Sequence, residues 1–483
     1  MPSQATEVSI DDEVPANAPS GGSALIRALS PYLPGAIAAV VILRVLRPVR
    51  DPDTFWHLRT GDYLRQTWEF VLSDPWSSAS EKRWILNQWL PELAMSGLAQ
   101  VFGLGGAALY LSLATAGIFT ALWVACRHRA SALVAALVAV VALFTMSASL
   151  SPRPQLVTFA LTVVTADAWL RTSEDLRPRW WLIPVSWLWA CSHGMWFLGP
   201  VVGGLVVLGM AFERRVALRR LAPLAAIPLM SFVVAAFTPV GPVLLASPFQ
   251  VGEITAYITE WQPVSATEPV FIAALLLVAV VLIHAAREAE GRRWHVFLLL
   301  LLALALAFTY ARTVAIAGAV LAPLAAAALQ QLTRQDRSPV TRREVGLSVC
   351  FGAGALALAA IIASTGLRSP GLGPNGLNAQ LDALPSRTVV CNDWIDGGWL
   401  IWRHPQLRVT IDPRAEIYSV KHIRGYQSFA AAVPGWEDYV RDTGCRYALV
   451  SQTSATYEAL TKQAKWRVAA SADGSALLQA PSP

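Results

Sequence analysis

The run LPGAIAAVVILRVLRPV (33–49) passes directly into RDPDTFWHLRTG (50–61), and this junction decides the fold. The first stretch carries only Arg44 and Arg47 as charges. A helix of about 17–25 mostly apolar residues spans a bilayer. The second stretch is abruptly polar and places Asp51 and Asp53 one residue apart. A span that ends in two carboxylates reads as a membrane helix opening into an aqueous loop. Ten more apolar runs follow, at approximately 106–125, 132–150, 155–170, 180–192, 195–212, 221–237, 270–286, 295–311, 314–332 and 345–365. The run 180–192 is short and contains Pro184, so it reads as a half-helix that breaks at His193-Gly194.

Composition agrees with this reading. Apolar residues make up 55% of the 483 residues and charged residues 14%. Soluble domains carry about 25% charge. The chain is therefore a membrane protein, and a soluble enzyme is excluded. A formal charge of +6 suggests nucleic acid at first sight, but the basic excess is nearly all Arg and lies between apolar runs. That is an orientation pattern, so nucleic acid is excluded as a partner. Alternate linkers hold Arg127 and Arg129; Arg171, Arg177 and Arg179; Arg214, Arg215, Arg219 and Arg220; Arg287, Arg292 and Arg293; and Arg334, Arg337, Arg342 and Arg343. The opposite short linkers hold only Arg153 and Arg312, and the long 238–269 linker has no Lys or Arg. The Arg-rich side is expected to be cytoplasmic.

This orientation requires that segment 87–103 does not span. With Glu92 and Gln100 it reads as an amphipathic helix lying along the outer surface. The expected organisation is a disordered cytoplasmic tail over 1–22 and a transmembrane domain over 23–366 with a first outer loop at 50–105. A linker over 367–380 and a small extracytoplasmic α/β domain over 381–483 complete it. In that last domain, strand-like runs occur at 387–391, 407–411, 447–451 and 466–470, and helical stretches at 436–441 and 455–464. Cys391 and Cys445 either pair there or stand as two buried thiols.

Topology also sorts the polar residues. Asp51, Asp53, His57, Arg153, His193, Glu253, Glu260 and Arg312 fall at the outer boundary. Paired carboxylates near apolar surface are costly unless paired or used. Partial burial raises a carboxylate pKa towards general-base range. The bland alternative is an Asx turn capping the next helix, with Pro52 setting the turn. Asp51 and Asp53 can also hold a divalent cation such as magnesium or manganese. Arg153 and Arg312 either grip a phosphate or snorkel to headgroups. His193 is a hydrogen-bonding or metal-ligating candidate beside a Gly break, and a lone His is more often structural. Glu253 and Glu260 flank Tyr257 and can meet sugar hydroxyls or solvent. Trp56, Trp68, Trp76, Trp84 and Trp89 are sugar-stacking or belt residues. Asp412 and Arg414 read as an ion pair fixing a turn. No P-loop, HExxH, CxxC or GxSxG motif occurs.

Together these residues resemble a family. A first span, a long outer loop opening on an Asp motif, many further spans and an outer C-terminal domain are similar to the GT-C glycosyltransferase superfamily. Asp51-x-Asp53-x-x-Trp56-His57-x-x-x-Gly61 resembles a bacterial multi-spanning subgroup. So do Arg153-Pro154-Gln155, Trp189-x-x-x-His193-Gly194, Glu260-Trp261-x-Pro263, Gly397-Gly398-x-Leu400-Ile401-Trp402 and Ile411-Asp412-x-Arg414-x-x-x-Tyr418. The resemblance implies an α-helical polytopic membrane protein of about eleven spans in a bacterial cytoplasmic membrane. It implies transfer of a sugar from a polyprenyl-phosphate donor to an extracytoplasmic glycan, lipid or protein. Asp53, or Asp51, is then the base, with Arg153, Arg312, His57 and His193 on the donor phosphate. Trp56, Glu253, Glu260 and Trp261 are then sugar or acceptor contacts, and metal dependence stays open. Two other classes compete. A lipid-carrier transporter or flippase predicts acids deep in the membrane, whereas Asp167 is the main one and lies near the cytoplasmic end of its run. A non-catalytic envelope-assembly protein predicts that Asp51 and Asp53 are dispensable.

Overall fold

The computed structural model describes residues 28–214, 216–249, 257–287, 293–334, 336–367 and 369–481. The expected tail over 1–22 and the candidate Glu253 lie outside them.

Each of the eleven apolar runs forms a helix: α1 (Leu33–Arg44), then, beyond the first outer loop, α4 (Gly105–Arg127), α5 (Ala132–Thr145), α6 (Gln155–Asp175), α7 (Leu182–Ala190), α8 (Leu198–Glu213), α9 (Leu218–Val233), α10 (Pro269–Arg287), α11 (Trp294–Thr309), α12 (Val314–Thr333) and α13 (Arg342–Gly366). Six helical stretches among the described residues are long and apolar enough to cross a membrane. The nine-residue α7 stops at Ala190, and a 3-10 turn at Gly194–Phe197 restarts the chain into α8. Helix α12 is the hub, packed against α5, α6, α10 and α11. Helix α13 sits at the edge against α1, and its outer face leaves Val349 63% and Ile361 60% exposed, as a lipid-facing surface requires.

The first long loop, after α1, holds α2 (Pro52–Thr67), a short hairpin of β1 (Val71–Leu72) and β2 (Trp84–Ile85), and α3 (Trp89–Phe102). Helix α3 has 14 residues, too few to span. It does not lie free on the surface as expected: it is wedged between α2 and α4. Gly61 allows this, because a Cβ there would sit 2.1 Å from the Glu92 carbonyl oxygen. The face carrying Glu92 is therefore buried.

The C-terminal domain is a five-stranded mixed sheet in the order β4-β3-β5-β7-β6, with β3 (Val389–Asn392), β4 (Arg408–Val409), β5 (Tyr447–Ser451), β6 (Arg467–Ala472) and β7 (Ser475–Gln479). Strands β6 and β7 join through Asp473-Gly474, both at positive φ, which is the hairpin turn chemistry. Helices α14 (Trp394–Arg403), α15 (Val420–Ala431) and α16 (Trp436–Thr443) cover the sheet. Cys391 and Cys445 are disulfide-bonded.

The two parts interlock. The Val409 N–H donates to the Trp76 carbonyl at 3.0 Å, and the Ser78 N–H donates to the Val409 carbonyl at 2.9 Å. The first long loop thus extends the edge of the C-terminal sheet. Arg414 seals the joint: Nη1 meets Asp74 at 2.7 Å and Nη2 meets Asp412 at 2.8 Å, all three side chains being fully buried. Its guanidinium lies 4.5 Å from the Trp84 ring centre and 5.2 Å from that of Trp76. Asp412 and Arg414 do form an ion pair, but its larger job is joining two domains. Arg414→Met is expected to strand two buried carboxylates and cost about 3–5 kcal/mol. Thermal unfolding of the detergent-solubilised protein checks this, and an unchanged midpoint contradicts it.

Candidate functional site

The site forms where α2 begins. Pro52 occupies the first helical position, which suits its fixed φ. Asp51 caps the helix, accepting the Asp53 N–H on Oδ1 at 2.9 Å. Its other oxygen accepts from Arg153 Nε at 2.6 Å. The capping reading and the functional reading are thus both realised, on different oxygens. Asp53, the second residue of the helix, meets Arg153 Nη1 through Oδ2 at 3.0 Å. Its Oδ1 accepts from Trp56 Nε1 at 3.3 Å.

Arg153 lies in the loop just before α6 and gathers a third carboxylate, Glu260, at 2.8 Å. One guanidinium is therefore shared by three acids. Burial, assisted by the neighbouring Asp51 and Glu260 charges, lifts Asp53 to about 7 despite the opposing pull of Arg153. The same carboxylates push the Arg153 pKa above its ordinary value, so it stays charged. Asp53 retains solvent access, with 18% of its side chain exposed. Asp51 is more committed: its side chain is less exposed, at 11%, and it holds Arg153 at the shorter distance of 2.6 Å. This asymmetry separates two acids that the sequence leaves equivalent.

Arg312 lies in the turn before α12. Its guanidinium stacks 4.7 Å from the centre of the Trp261 ring, and Nη2 approaches the Gln155 amide oxygen at 3.4 Å. Among the described residues no carboxylate lies within ion-pair distance of it. A buried cation with no ion-pair partner among the described residues, in the same cluster as a shared one, is a candidate site for an anion.

Three expected contacts are buried and hydrogen-bonded within the protein. His57 is 3% exposed and bonds Glu92 Oε1 through Nδ1 at 2.8 Å. His193 is 7% exposed, and its Nδ1 meets Thr158 Oγ1 at 2.9 Å. Burial holds both rings neutral, His193 falling to about 3 and His57 well below the usual range. Neither brings positive charge to a donor phosphate. Trp56 is 5% exposed, because α2 is covered by the hairpin and the C-terminal domain. It serves Asp53 as a hydrogen-bond donor, and its buried faces are closed to a sugar. Glu260 and Trp261 are on the cations, as described. Glu92 is the residue the sequence reading passed over: burial raises its pKa strongly and favours a neutral, protonated partner for His57. A metal fits poorly, because the Arg153 guanidinium already occupies the cation position between Asp51, Asp53 and Glu260. Among the described residues no other cluster of three His, Cys, Asp or Glu side chains suits a metal.

No family model and no curated protein matches the chain. Solved structures do. The oligosaccharyltransferase of Archaeoglobus fulgidus, tethered to an acceptor peptide, aligns with 92% of this chain and 72% of its own at TM-score 0.59 and 14% identity. ArnT from Cupriavidus metallidurans, bound to undecaprenyl phosphate, aligns over 95% of this chain and 98% of its own at 0.51 and 15% identity. The arabinofuranosyltransferase AftD from Mycobacteria aligns over 93% of this chain and 41% of its own at 0.52 and 16% identity. The chain has the GT-C fold. In this chain the Asp51/Asp53 turn opens the loop after α1, and Arg153 and Arg312 come to it from later connections.

The charge arrangement makes a pH prediction. Glu260 helps to raise Asp53, so Glu260→Gln is expected to lower the Asp53 pKa by up to about one unit. If ionised Asp53 is required, activity rises as pH rises through about 7, and the variant rises at lower pH. A pH profile of turnover measures this. An unmoved or upward-moved acidic limb contradicts it.

Proposed function

We propose that the chain is a membrane glycosyltransferase that moves a sugar from a polyprenyl-phosphate donor to an extracytoplasmic acceptor. The observation that carries this reading is the three-carboxylate cluster on Arg153, with Asp53 lifted to about 7 beside Arg312, which stacks on Trp261. A general base works best when its pKa lies near the working pH. Ionised Asp53 takes the proton from an acceptor hydroxyl. The oxygen attacks the anomeric carbon in line, and the bond from that carbon to the phosphate oxygen breaks. The configuration inverts. The departing polyprenyl phosphate gains the negative charge, which Arg312 and the outer edge of Arg153 stabilise. Glu260, 44% exposed, is the carboxylate most easily displaced from Arg153 by that phosphate. Undecaprenyl phosphate in the ArnT structure and the acceptor peptide on the oligosaccharyltransferase support a lipid-linked donor and an outer acceptor.

The transporter reading finds less support. Asp167 is paired with His128 at 2.9 Å and Arg171 at 3.1 Å, near the end of α6 remote from Arg153. It is an anchoring network at one membrane face.

The direct test is turnover in nanodiscs with synthetic undecaprenyl-phospho-pentoses and -hexoses and a cell-envelope glycan extract, followed by released undecaprenyl phosphate. Asp53→Asn is expected to lower turnover by about 10²–10⁴-fold. Full activity in that variant overturns the reading. We place the Arg-rich linkers on the cytoplasmic side of a bacterial cytoplasmic membrane and the C-terminal domain outside. Cysteines introduced at Ala217 or Ser338 should react with an impermeant thiol reagent only after permeabilisation. Reaction in intact cells reverses the orientation.

A further inference from the structure

The turn Val49–Asp53 is gripped from two sides. Arg153 holds its carboxylates, and Thr54 Oγ1 donates to the Pro152 carbonyl at 3.0 Å. The other grip comes from the C-terminal half of the chain. The Gly371 N–H donates to the Val49 carbonyl at 2.8 Å. Gly398, inside α14, lies so close that a Cβ would sit 2.2 Å from the Pro52 carbonyl oxygen. One turn further along α14, the Trp402 ring packs 5.6 Å from Phe55. The contacted backbone, Val49 and Pro52, brackets Asp51.

Glycine inside a helix costs roughly 0.5–1 kcal/mol relative to Ala. Helix α14 carries two in succession, Gly397 and Gly398. Gly397 is explained within its own domain, where a Cβ would meet the Ile411 carbonyl oxygen at 2.3 Å. Gly398 is explained only by the approach to α2. No bulkier residue allows this backbone to seat against Pro52.

We propose that the C-terminal domain is a positioning element of the active site, with Gly398 as its positioning residue and Gly371 in support. The depth at which Gly398 seats the Asp turn sets the distance from Asp53 to Arg153, and with it the proton affinity of Asp53. The groups facing Asp53 are Asp51, Arg153, Glu260, Arg312 and the Trp56 indole. This role rests on the reading of Asp53 as the base.

The test uses the full-length protein in nanodiscs and needs no substrate for its main readout. Infrared difference spectra across pH give the protonated-carboxyl band, and the component missing in Asp53→Asn belongs to Asp53. Gly398→Ala is compared with the double variant Gly398→Ala/Asp53→Asn, so that other acids on α14 cancel. The expected result is a shift of about one unit in the Asp53 component, because the changed seating of the turn alters its distance from Arg153. Turnover of undecaprenyl-phospho-sugars should fall about tenfold or more, with undecaprenyl phosphate still bound. Gly209→Ala is the control, since its Cβ would sit 2.3 Å from His295 Cα, far from the Asp turn. It should lower stability and leave the Asp53 component in place. If Gly398→Ala does not fold, Gly371→Ala, with a Cβ 3.1 Å from the Val49 carbonyl oxygen, gives a smaller shift. An Asp53 component unmoved in both variants overturns the positioning role. Full turnover in Asp53→Asn instead overturns the base assignment, so the two failures are distinguishable.

Discussion

The Arg153 guanidinium is the interaction on which the site depends. It meets Asp51, Asp53 and Glu260 within 3.0 Å. A single cation cannot neutralise three acids in a partly desolvated cleft. Burial makes Asp53 hold its proton more tightly, against the pull of Arg153. Asp51 stays structural through its capping bond. The same sharing leaves Arg312 as the cation whose charge is not cancelled by an ion pair among the described residues. Base and anion site thus arise from one uneven distribution of charge.

That distribution is useful only if the geometry is fixed, and the fixing is long-range. Arg414 connects Asp74 in the first loop with Asp412, more than three hundred residues away, and its burial between Trp76 and Trp84 leaves no water to substitute. Once formed, the joint holds the first loop against the C-terminal sheet. The loop then behaves as part of that domain, although the chain reaches it before most of the spans. Connections between the helices supply Arg153, Arg312 and Glu260, the first long loop supplies Asp51 and Asp53, and the C-terminal domain packs against the turn that carries them.

The sequence shows some of this plainly. Apolar length marks all eleven helices, because a bilayer enforces continuous apolar runs. The break at His193-Gly194 is legible from a short run and a Gly. Asp51, Asp53, Arg153 and Arg312 stand out as charges at the outer boundary. Other features leave no local signal. The Glu92–His57 contact joins two helices of one loop, and Glu92 looks like an ordinary polar residue of an amphipathic helix until α2 covers it. Helix α14 was missed because its glycines depress helical propensity, and they are there for a contact with α2. Strand β7 follows an Asp-Gly turn that was readable and unread. The assignment of His57, His193 and Trp56 to ligands failed to anticipate burial, which follows from how the loop folds back and not from residue type.

The most direct measurement of the central claim is the affinity of undecaprenyl phosphate for the wild-type protein, Arg312→Gln and Asp53→Asn. Equilibrium binding in nanodiscs at pH 7 suffices. The account predicts at least about tenfold weaker binding for Arg312→Gln, as loss of a charged hydrogen-bonding partner requires, with binding by Asp53→Asn retained or tightened. Binding by Arg312→Gln equal to that of the wild type would contradict it.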